Sequence, residues 1–218
     1  TELLKIDSGT VFNQTSLNTH DNDETVNIGF GYRKLLNDNK ILIGSNIFYD
    51  HQFDLDHKRT GAGLEAISSI FDLRGNYYNA LSGSKITSDG SERALDGWDT
   101  QLDYHLPGEK DVNIFANLFA FENPDSASTY EEKGTKFGAN ASLGNFTIEG
   151  GYLNDNQNND AFFGSVKFVV KLGDNGDKKK QNFLEYTDVS DKLYQPVKRE
   201  NKIRVVKISK SGVTVGGF

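Results

Sequence analysis

The chain has 218 residues, of which 36% are hydrophobic, and it contains no cysteine. This composition excludes a disulfide framework and thiol chemistry, and no apolar run approaches the 18 residues of a membrane-spanning helix. The net charge of −7 is unevenly spread: residues 1–177 hold 14 Lys and Arg against 27 Asp and Glu, whereas residues 178–210 hold 10 against 4. A basic segment after an acidic body predicts that the segment binds something acidic, and the nearest candidate is the body itself.

Residues 26–50 alternate apolar and polar side chains on both sides of a short turn. Ile28 and Phe30 share one face of the first arm, and Ile43, Ile47 and Tyr49 share one face of the second. This pattern predicts a β-hairpin with one apolar and one polar face. The apolar face contacts either a second sheet, as in a soluble sandwich, or lipid, as in an outer-membrane barrel whose polar face lines the lumen.

Ten runs of this kind follow one another along the chain, each about as long as a strand that crosses a bilayer at a tilt. In the run at 111–122, Phe115, Phe119 and Phe121 interrupt an otherwise polar face. The predicted strands lie near residues 2–14, 25–35, 40–52, 58–69, 71–81, 97–106, 111–122, 133–143, 145–154 and 161–173.

The connections between these runs alternate in length. Long polar connections are predicted at 15–24, 82–96, 123–132 and 155–160, with a shorter one at 53–57, and tight turns separate them. Short turns on one side and long loops on the other are typical of outer-membrane barrels, whose turns face the periplasm. The pattern therefore favours a barrel over a soluble sandwich, with the polar side as the lumen.

The last 45 residues break the alternation. Phe183, Tyr186, Val189 and Leu193 recur at helical spacing until Pro196, which predicts a helix. The remainder is basic at its start and glycine-rich at its end, which indicates an extended segment.

Several stretches, in order, resemble the β-domain of the intimin and invasin inverse autotransporters over about residues 3–207. They include "NIGFGYRKLL", "ILIGSNIFYDHQFDLDHKRTGAGLEA", "SERALDGWDTQLDYHLPG", "KFGANASLGNFTIEGGYLND" and "KLYQPVKRENKIRVV". The resemblance implies an all-β fold in the bacterial outer membrane, an antiparallel transmembrane β-barrel of about 10–12 strands at 1–173. It also implies a periplasmic-side turn and helix at 174–198, and an extended linker at 199–218 threaded through the lumen toward the cell surface.

A barrel of this family implies three partners, namely membrane lipid, the outer-membrane assembly machinery, and a C-terminal passenger that binds host or cell-surface ligands. The basic linker would lie against lumen carboxylates, where opposite charges attract more strongly than in bulk water, and would seal the pore. The predicted lumen and linker contacts are Arg33, Glu65, Asp99, Asp103, Glu149, Lys198, Arg199, Asn201, Lys202 and Arg204.

One loop carries residues that also suit catalysis or metal binding: His51, Asp54, Asp56 and His57. His57 with Asp56 would suit a general base, but without a paired nucleophile a solvated loop is the favoured interpretation. We therefore predict no catalytic residue, no enzyme activity, no cofactor, no metal and no nucleic-acid partner. Two alternatives stay open: a soluble secreted all-β domain that binds carbohydrate or another ligand, and an outer-membrane hydrolase that uses these rim histidines.

Overall fold

The computed structural model describes residues 2–6, 9–20, 23–108, 111–143, 146–157, 160–168, 185–210 and 212–214. Apart from one 3-10 turn, Ser190–Lys192, the regular elements of this part are all β-strands. In chain order the strands are β1 Glu2–Ile6, β2 Gly9–His20, β3 Asp23–Leu36, β4 Ile41–Gln52, β5 His57–Ser68, β6 Phe71–Ala80, β7 Lys85–Thr87, β8 Gly90–Ala94, β9 Asp96–His105, β10 Asp111–Glu122, β11 Glu131–Leu143, β12 Phe146–Asp155, β13 Ala161–Phe168, β14 Val205–Ser209 and β15 Gly212–Thr214.

The main sheet is an antiparallel meander of eleven strands in the order β1-β2-β3-β4-β5-β6-β9-β10-β11-β12-β13. The four other strands form a second, small sheet in the order β15-β14-β8-β7. The all-β antiparallel prediction is therefore confirmed. The predicted closure is not seen, because in the described part of the chain the short β1 pairs only with β2 and β13 pairs only with β12.

Two predicted boundaries near the N-terminus are wrong. The predicted strand at 2–14 is two strands, and most of the predicted loop at 15–24 is strand. The polar composition of this stretch misled the prediction, because both faces of the strand carry polar side chains: Thr15 and Thr19 are exposed, and Ser16 and Asn18 are half-buried. Ser16 and Asn18 donate hydrogen bonds to the Asn27 side chain of β3, at 3.0 and 2.6 Å.

The predicted loop at 82–96 is also structured. It contains the hairpin of β7 and β8, and β8 pairs with β14 from the C-terminal part of the chain. Polar residues dominate this hairpin, so no apolar alternation marks it in the sequence. Its partner is more than 100 residues away, which is beyond the reach of a local pattern.

The two faces of the main sheet are reversed relative to a soluble protein. On the outer face Ile28, Phe30 and Ile47 are 43%, 49% and 63% exposed, whereas on the inner face Asn27 and Asp50 are 0% exposed. The part of the chain that the structure describes contains no helix long and apolar enough to cross a membrane. Because the polar side chains are the buried ones, the polar face is the inside of the sheet, as predicted.

The outer face gives a stability prediction that depends on depth. The sequence alone places Ile43 near mid-membrane, but the structure puts it two residues after the start of β4, whereas Ile47 lies at the middle of that strand. We expect Ile47→Arg to make folding into bilayers less favourable by about 2–4 kcal/mol, and Ile43→Arg to make it less favourable by no more than about 1 kcal/mol. Equilibrium refolding into vesicles measures both, and equal costs would contradict the assigned depth.

The predicted helix in 174–198 is wrong for the described residues 185–198, which contain only the Ser190–Lys192 turn. Residues 174–184 lie outside the described part of the chain. Besides the short-range bonds of this turn, the backbone of the stretch bonds to the end of the sheet: the Val189 amide donates to the Asn39 carbonyl, between β3 and β4, at 2.8 Å. Val189 is buried against Leu42 and Ile67, so its helical spacing reflects packing on the end of the sheet.

Candidate functional site: the C-terminal segment on the inner face

Residues 185–210, called here the C-terminal segment, run along the inner face from one end to the other. At the end formed by the turns 37–40 and 69–70 (the turn end), the Ser69 hydroxyl donates to the Glu185 carbonyl at 3.3 Å and accepts from the Thr187 amide at 3.0 Å. At the end formed by the connections 81–95 and 123–130 (the loop end), β14 pairs with β8. The segment therefore leads from the turn end to the loop end.

The sheet is rolled around this segment. The Val197 amide donates to the Gln14 side chain of β2 at 2.8 Å, and the next residue, Lys198, forms an ion pair with Asp103 of β9 at 3.2 Å. β2 and β9 are five places apart in the sheet order, which in a flat sheet would separate them by about 24 Å. Consecutive residues can reach both strands only because the inner face curves around them.

Near the turn end, Arg33 of β3 holds the backbone of the segment. Its Nε donates to Glu65 of β5 at 2.6 Å, and its Nη1 donates to the carbonyls of Leu193 and Gln195 at 2.8 and 2.6 Å. Arg33 also lies 4.7 Å from the centre of the Phe12 ring. Arg33, a buried cation of the sheet, thus binds the main-chain oxygens of the segment, and this contact does not depend on the segment's side chains.

Two lysines of the segment contact a charged cluster on β6 and β9. Arg74 bridges Asp72 and Asp103 at 2.8 and 2.5 Å. Lys192 lies 3.3 Å from Asp72, and Lys198 lies 3.2 Å from Asp103. Each of these carboxylates therefore faces one cation of the sheet and one of the segment.

Arg199 occupies the most enclosed site, which we call the Arg199 socket. Its Nη1 and Nη2 donate to the two carboxylate oxygens of Asp50 at 2.8 and 2.7 Å. Its guanidinium lies 4.3 Å from the centre of the Phe48 ring and 5.5 Å from that of Tyr78. Arg59 donates to the same Asp50 at 2.8 Å. A bidentate pair with aromatic contacts suits arginine and not lysine.

The socket continues into the backbone that follows. The Tyr78 hydroxyl donates to Asp99 at 2.5 Å and accepts from the Glu200 amide at 2.8 Å. Arg59 donates to the Glu200 carbonyl at 2.7 Å, and the Asn27 side chain donates to the Asn201 carbonyl at 3.0 Å. These contacts satisfy polar backbone groups that would otherwise be costly to bury.

Arg204 makes the corresponding contact closer to the loop end. It forms an ion pair with Glu132 of β11 and lies 4.7 and 4.6 Å from the ring centres of Phe119 and Phe121. It also lies 3.4 Å from Glu200, four residues earlier in the segment. Two of the three phenylalanines that interrupt the polar face of β10, Phe119 and Phe121, therefore contact this cation with their rings.

The structure brings only some of the predicted site residues together. Arg33 binds Glu65 and Lys198 binds Asp103, but Asp99 binds Tyr78 and Asn76 instead of a linker cation. Glu149 is half-buried and has no hydrogen bond or ion pair among the described contacts, and Lys202 is half-buried between the Arg199 and Arg204 contacts.

Asp50 and Glu132, the partners of the two linker arginines, are not among the predicted site residues. Asp50 lies on the polar side of the predicted hairpin, so its burial follows from the pattern. Nothing in the spacing indicates which carboxylate faces which cation. Tyr78 contacts both Asp99 and the segment. It directly follows Tyr77, which lies on the opposite face, and the alternation shows only that one of these two tyrosines points inward.

The loop histidines are separate from each other. His51 contacts Asp56 at 2.8 Å, whereas His57 is fully buried and contacts Ser82 and Glu92, both at 3.1 Å. The pair of His57 and Asp56 that a general base would need is therefore absent, and His57 does not lie in a solvated loop as expected, because β5 turns it inward. The described residues contain no group of three His, Asp or Glu side chains placed to hold a metal.

Two carboxyl groups at the loop end have lowered pKa values. For Glu92, burial acts to raise the pKa, but the hydrogen bond and charge of His57 and the charge of Lys207 outweigh it. For the exposed Asp56, hydrogen bonds from Lys58 and His51 lower the pKa. Both groups are thus held as anions by neighbouring donors, which suits a fixed structure at this end.

The outer face is apolar, the inner face is charged, and the C-terminal segment is bound along the inner face. Together these features define a membrane-embedded β-domain that holds a segment of its own chain on its inner face. The chain belongs to the family "Inverse autotransporter, beta-domain", whose model matches residues 1–201. Membership in this family places it in the bacterial outer membrane.

Curated relatives support this assignment, and a solved structure shows the same fold. The chain is 30% identical over 100 residues to "Inverse autotransporter adhesin YeeJ" of Escherichia coli K12, 33% identical over 99 residues to "Intimin" of E. coli O127:H6, and 31% identical over 99 residues to "Invasin" of Yersinia enterocolitica. Each match covers 44% of this chain but only 4%, 10% and 12% of the relative, respectively. The fold matches a solved chain reported under "Unveiling the Mechanism Behind the in-meso Crystallization of Membrane Proteins", with a TM-score of 0.79, 21% identity, and coverage of 94% of this chain and 89% of that one.

Proposed function

We propose that the rolled sheet closes into a transmembrane barrel and that residues 185–210 thread its lumen from the periplasm to the cell surface. In this arrangement the turn end is periplasmic and the loop end is extracellular. A passenger attached beyond the segment is then held outside the cell, and the segment that remains in the lumen seals it. The proposed partners are lipid on the outer face, the machinery that assembles outer-membrane barrels, and the passenger.

The observation that carries this proposal is the ordered series of contacts along the inner face. From the turn end to the loop end, the segment meets Asp72, Asp103, Asp50 and Glu132 in turn, through its own lysines and arginines. These carboxylates belong to β6, β9, β4 and β11, which lie in both halves of the sheet. A segment held from both halves of a rolled sheet fits a lumen and not the surface of a sandwich.

The exposed apolar outer face argues against the soluble alternative. A soluble sandwich buries its apolar faces against each other. The rim histidines do not favour a hydrolase either. His51 is bound to Asp56, and His57, although it contacts both the Ser82 hydroxyl and Glu92, is fully buried, so a substrate cannot reach it. The function proposed is therefore passive transport and anchoring, without catalysis by these residues.

Single cysteines test the direction of the segment without background, because the chain has no cysteine of its own. We compare Lys207→Cys in β14 with Lys40→Cys in the turn 37–40, both at exposed positions. In intact cells, a maleimide that does not cross membranes should label the Lys207→Cys variant and not the Lys40→Cys variant. After the outer membrane is permeabilised, both variants should react.

The labelling experiment has clear contrary results. Labelling of the Lys40→Cys variant together with protection of the Lys207→Cys variant in intact cells would invert the topology. Labelling of both variants in intact cells would contradict membrane insertion. The unsubstituted chain, which has no thiol, is the control for non-specific reaction.

A further inference from the structure

The loop end carries a strand edge that is suited to binding extended polypeptide. β8 has β7 on one side and β14 of the C-terminal segment on the other. Without the segment, the second edge of β8 would offer unpaired backbone donors and acceptors next to the exit of the proposed lumen. Such an edge is a template for strand addition.

β8 is held in place by contacts that do not involve the C-terminal segment. The buried His57 of β5 binds Glu92 at 3.1 Å, and the Ala80 amide donates to the Asp96 side chain, just beyond β8, at 2.7 Å. Leu95, directly after β8, lies in an apolar cluster with Tyr78, Phe119 and Phe121 of the main sheet. The hairpin edge is therefore anchored to the main sheet before anything pairs with it.

Much of the binding between β8 and β14 is through the main chain. The Leu95 amide donates to the Arg204 carbonyl at 2.9 Å, and the Lys210 amide donates to the Asp89 carbonyl at 3.1 Å. Between these two bonds the register runs without interruption from Val205↔Ala94 to Ser209↔Gly90. Val206 and Ile208 pack into one apolar cluster and Val205 into another, whereas the Lys207 side chain is 58% exposed. Main-chain pairing of this kind tolerates many side chains.

The close approach depends on one glycine. A Cβ on Gly90 would meet the Ile208 carbonyl oxygen at 2.0 Å, so a side chain there cannot coexist with the pairing. In the same connection, a Cβ on Gly83 would meet nothing within 4 Å. The two glycines therefore form a matched pair, one at the contact and one in open space.

We propose that the free edge of β8 is an acceptor for the exported polypeptide: successive extended segments pair with it as they leave the lumen, and residues 205–209 are the segment that stays there at the end. This inference rests on the proposed function. Pairing at the exit opposes backward sliding, because a segment must break its main-chain hydrogen bonds before it can return. Recognition through the backbone suits a partner whose sequence changes as the chain advances.

The test uses the full chain followed by a flexible, cysteine-free tail that ends in an epitope, and it measures the rate at which the epitope reaches the surface of intact cells. Gly90→Val should slow this rate about tenfold, since one or two hydrogen bonds are lost, whereas Gly83→Val should leave it unchanged. Gly90→Val should also open Lys207 and Lys210 to trypsin added outside. Heat-dependent migration on gels confirms that both variants are inserted.

A second measurement needs no change at Gly90. Ser91→Cys is combined with one cysteine in the tail, and the cells are oxidised at intervals during export. A disulfide should appear while that part of the tail passes β8 and should be absent when export is complete before oxidation. Opposed residues in an antiparallel pair lie within the distance that a disulfide spans.

The outcomes separate the two proposals. Equal export rates for both glycine variants, together with no transient disulfide, would overturn the acceptor role and leave the translocator intact. If the epitope of the unchanged chain never reaches the surface, the translocator function fails and the acceptor role fails with it.

Discussion

Deleting residues 176–218 should turn a sealed domain into an open, ion-conducting pore. The deletion removes the whole C-terminal segment, which supplies Lys192, Lys198, Arg199 and Arg204 to the inner face. Because polar side chains line that face, the emptied space fills with water and ions instead of collapsing. Planar-bilayer recordings of the two chains should show steady conductance only for the shortened one.

The open pore should select cations. Buried acidic side chains outnumber buried basic ones on the inner face, and Asp50, Asp103 and Glu132 each lose a partner from the segment. Asp50 and Asp103 keep Arg59 and Arg74, respectively, but Glu132 has no second ion pair among the described residues of the sheet. Glu65, one of the predicted lumen contacts, does not contribute to this selectivity, because Arg33 of the sheet pairs with it.

A useful comparison is the full chain recorded at high ionic strength. Ion pairs enclosed in a narrow lumen are screened less than pairs at a surface, so salt alone should open the full chain only partly. Equal conductance of the full and shortened chains would contradict the seal. Heat-dependent gel migration of the shortened chain serves as the check that its sheet is still folded.

The fold was largely predictable because side-chain alternation is a local signal. The runs at 40–52, 58–69 and 111–122 agree with β4, β5 and β10 to within one residue at each end. The signal fails where the outer face is also polar, as in β2, and where a strand has its partner far away in the chain, as in β8 and β14. It also fails for the predicted helix, because apolar residues spaced three and four apart can instead pack on the end of a sheet, as Val189 and Leu193 do.

The site was predictable in kind but not in detail. The separation of acidic and basic residues along the sequence predicts that the basic segment binds the acidic body. The alternation of side chains along each strand predicts which carboxylates face inward. Which ion pairs form depends on the register between strands and on the path of the segment. Neither can be inferred from the sequence of a single strand. Arg199 therefore meets Asp50 and not Asp99, although both face the inside.

Replacing Arg199 by alanine should release the C-terminal segment locally, with the largest effect of any single substitution in it. The Arg199 and Asp50 side chains are 1% and 0% exposed, so the change leaves a buried carboxylate with one of its two cations missing. Removing one partner of a buried pair costs about 3–5 kcal/mol. Because Arg59 still binds Asp50, we expect the lower end of that range.

The neighbouring residue gives a matched control. Lys198 also pairs with a buried carboxylate, but its own side chain is 42% exposed. A cation that is already partly hydrated loses little when its pair is broken, so Lys198→Ala should cost at most about 1 kcal/mol. Arg199→Lys should fall between the two, since lysine keeps the charge but cannot make the two-pronged contact or lie flat on Phe48.

Hydrogen exchange of the segment's backbone amides measures these differences as free energies of local opening. The Glu200 amide is a suitable reporter because it donates to the buried Tyr78 hydroxyl at 2.8 Å. Its exchange should speed up roughly a hundredfold in Arg199→Ala and at most about fivefold in Lys198→Ala, as the two costs dictate. Similar acceleration in both variants would mean that the segment is held by its total charge, and the Arg199 socket would then have no special role in fixing its position.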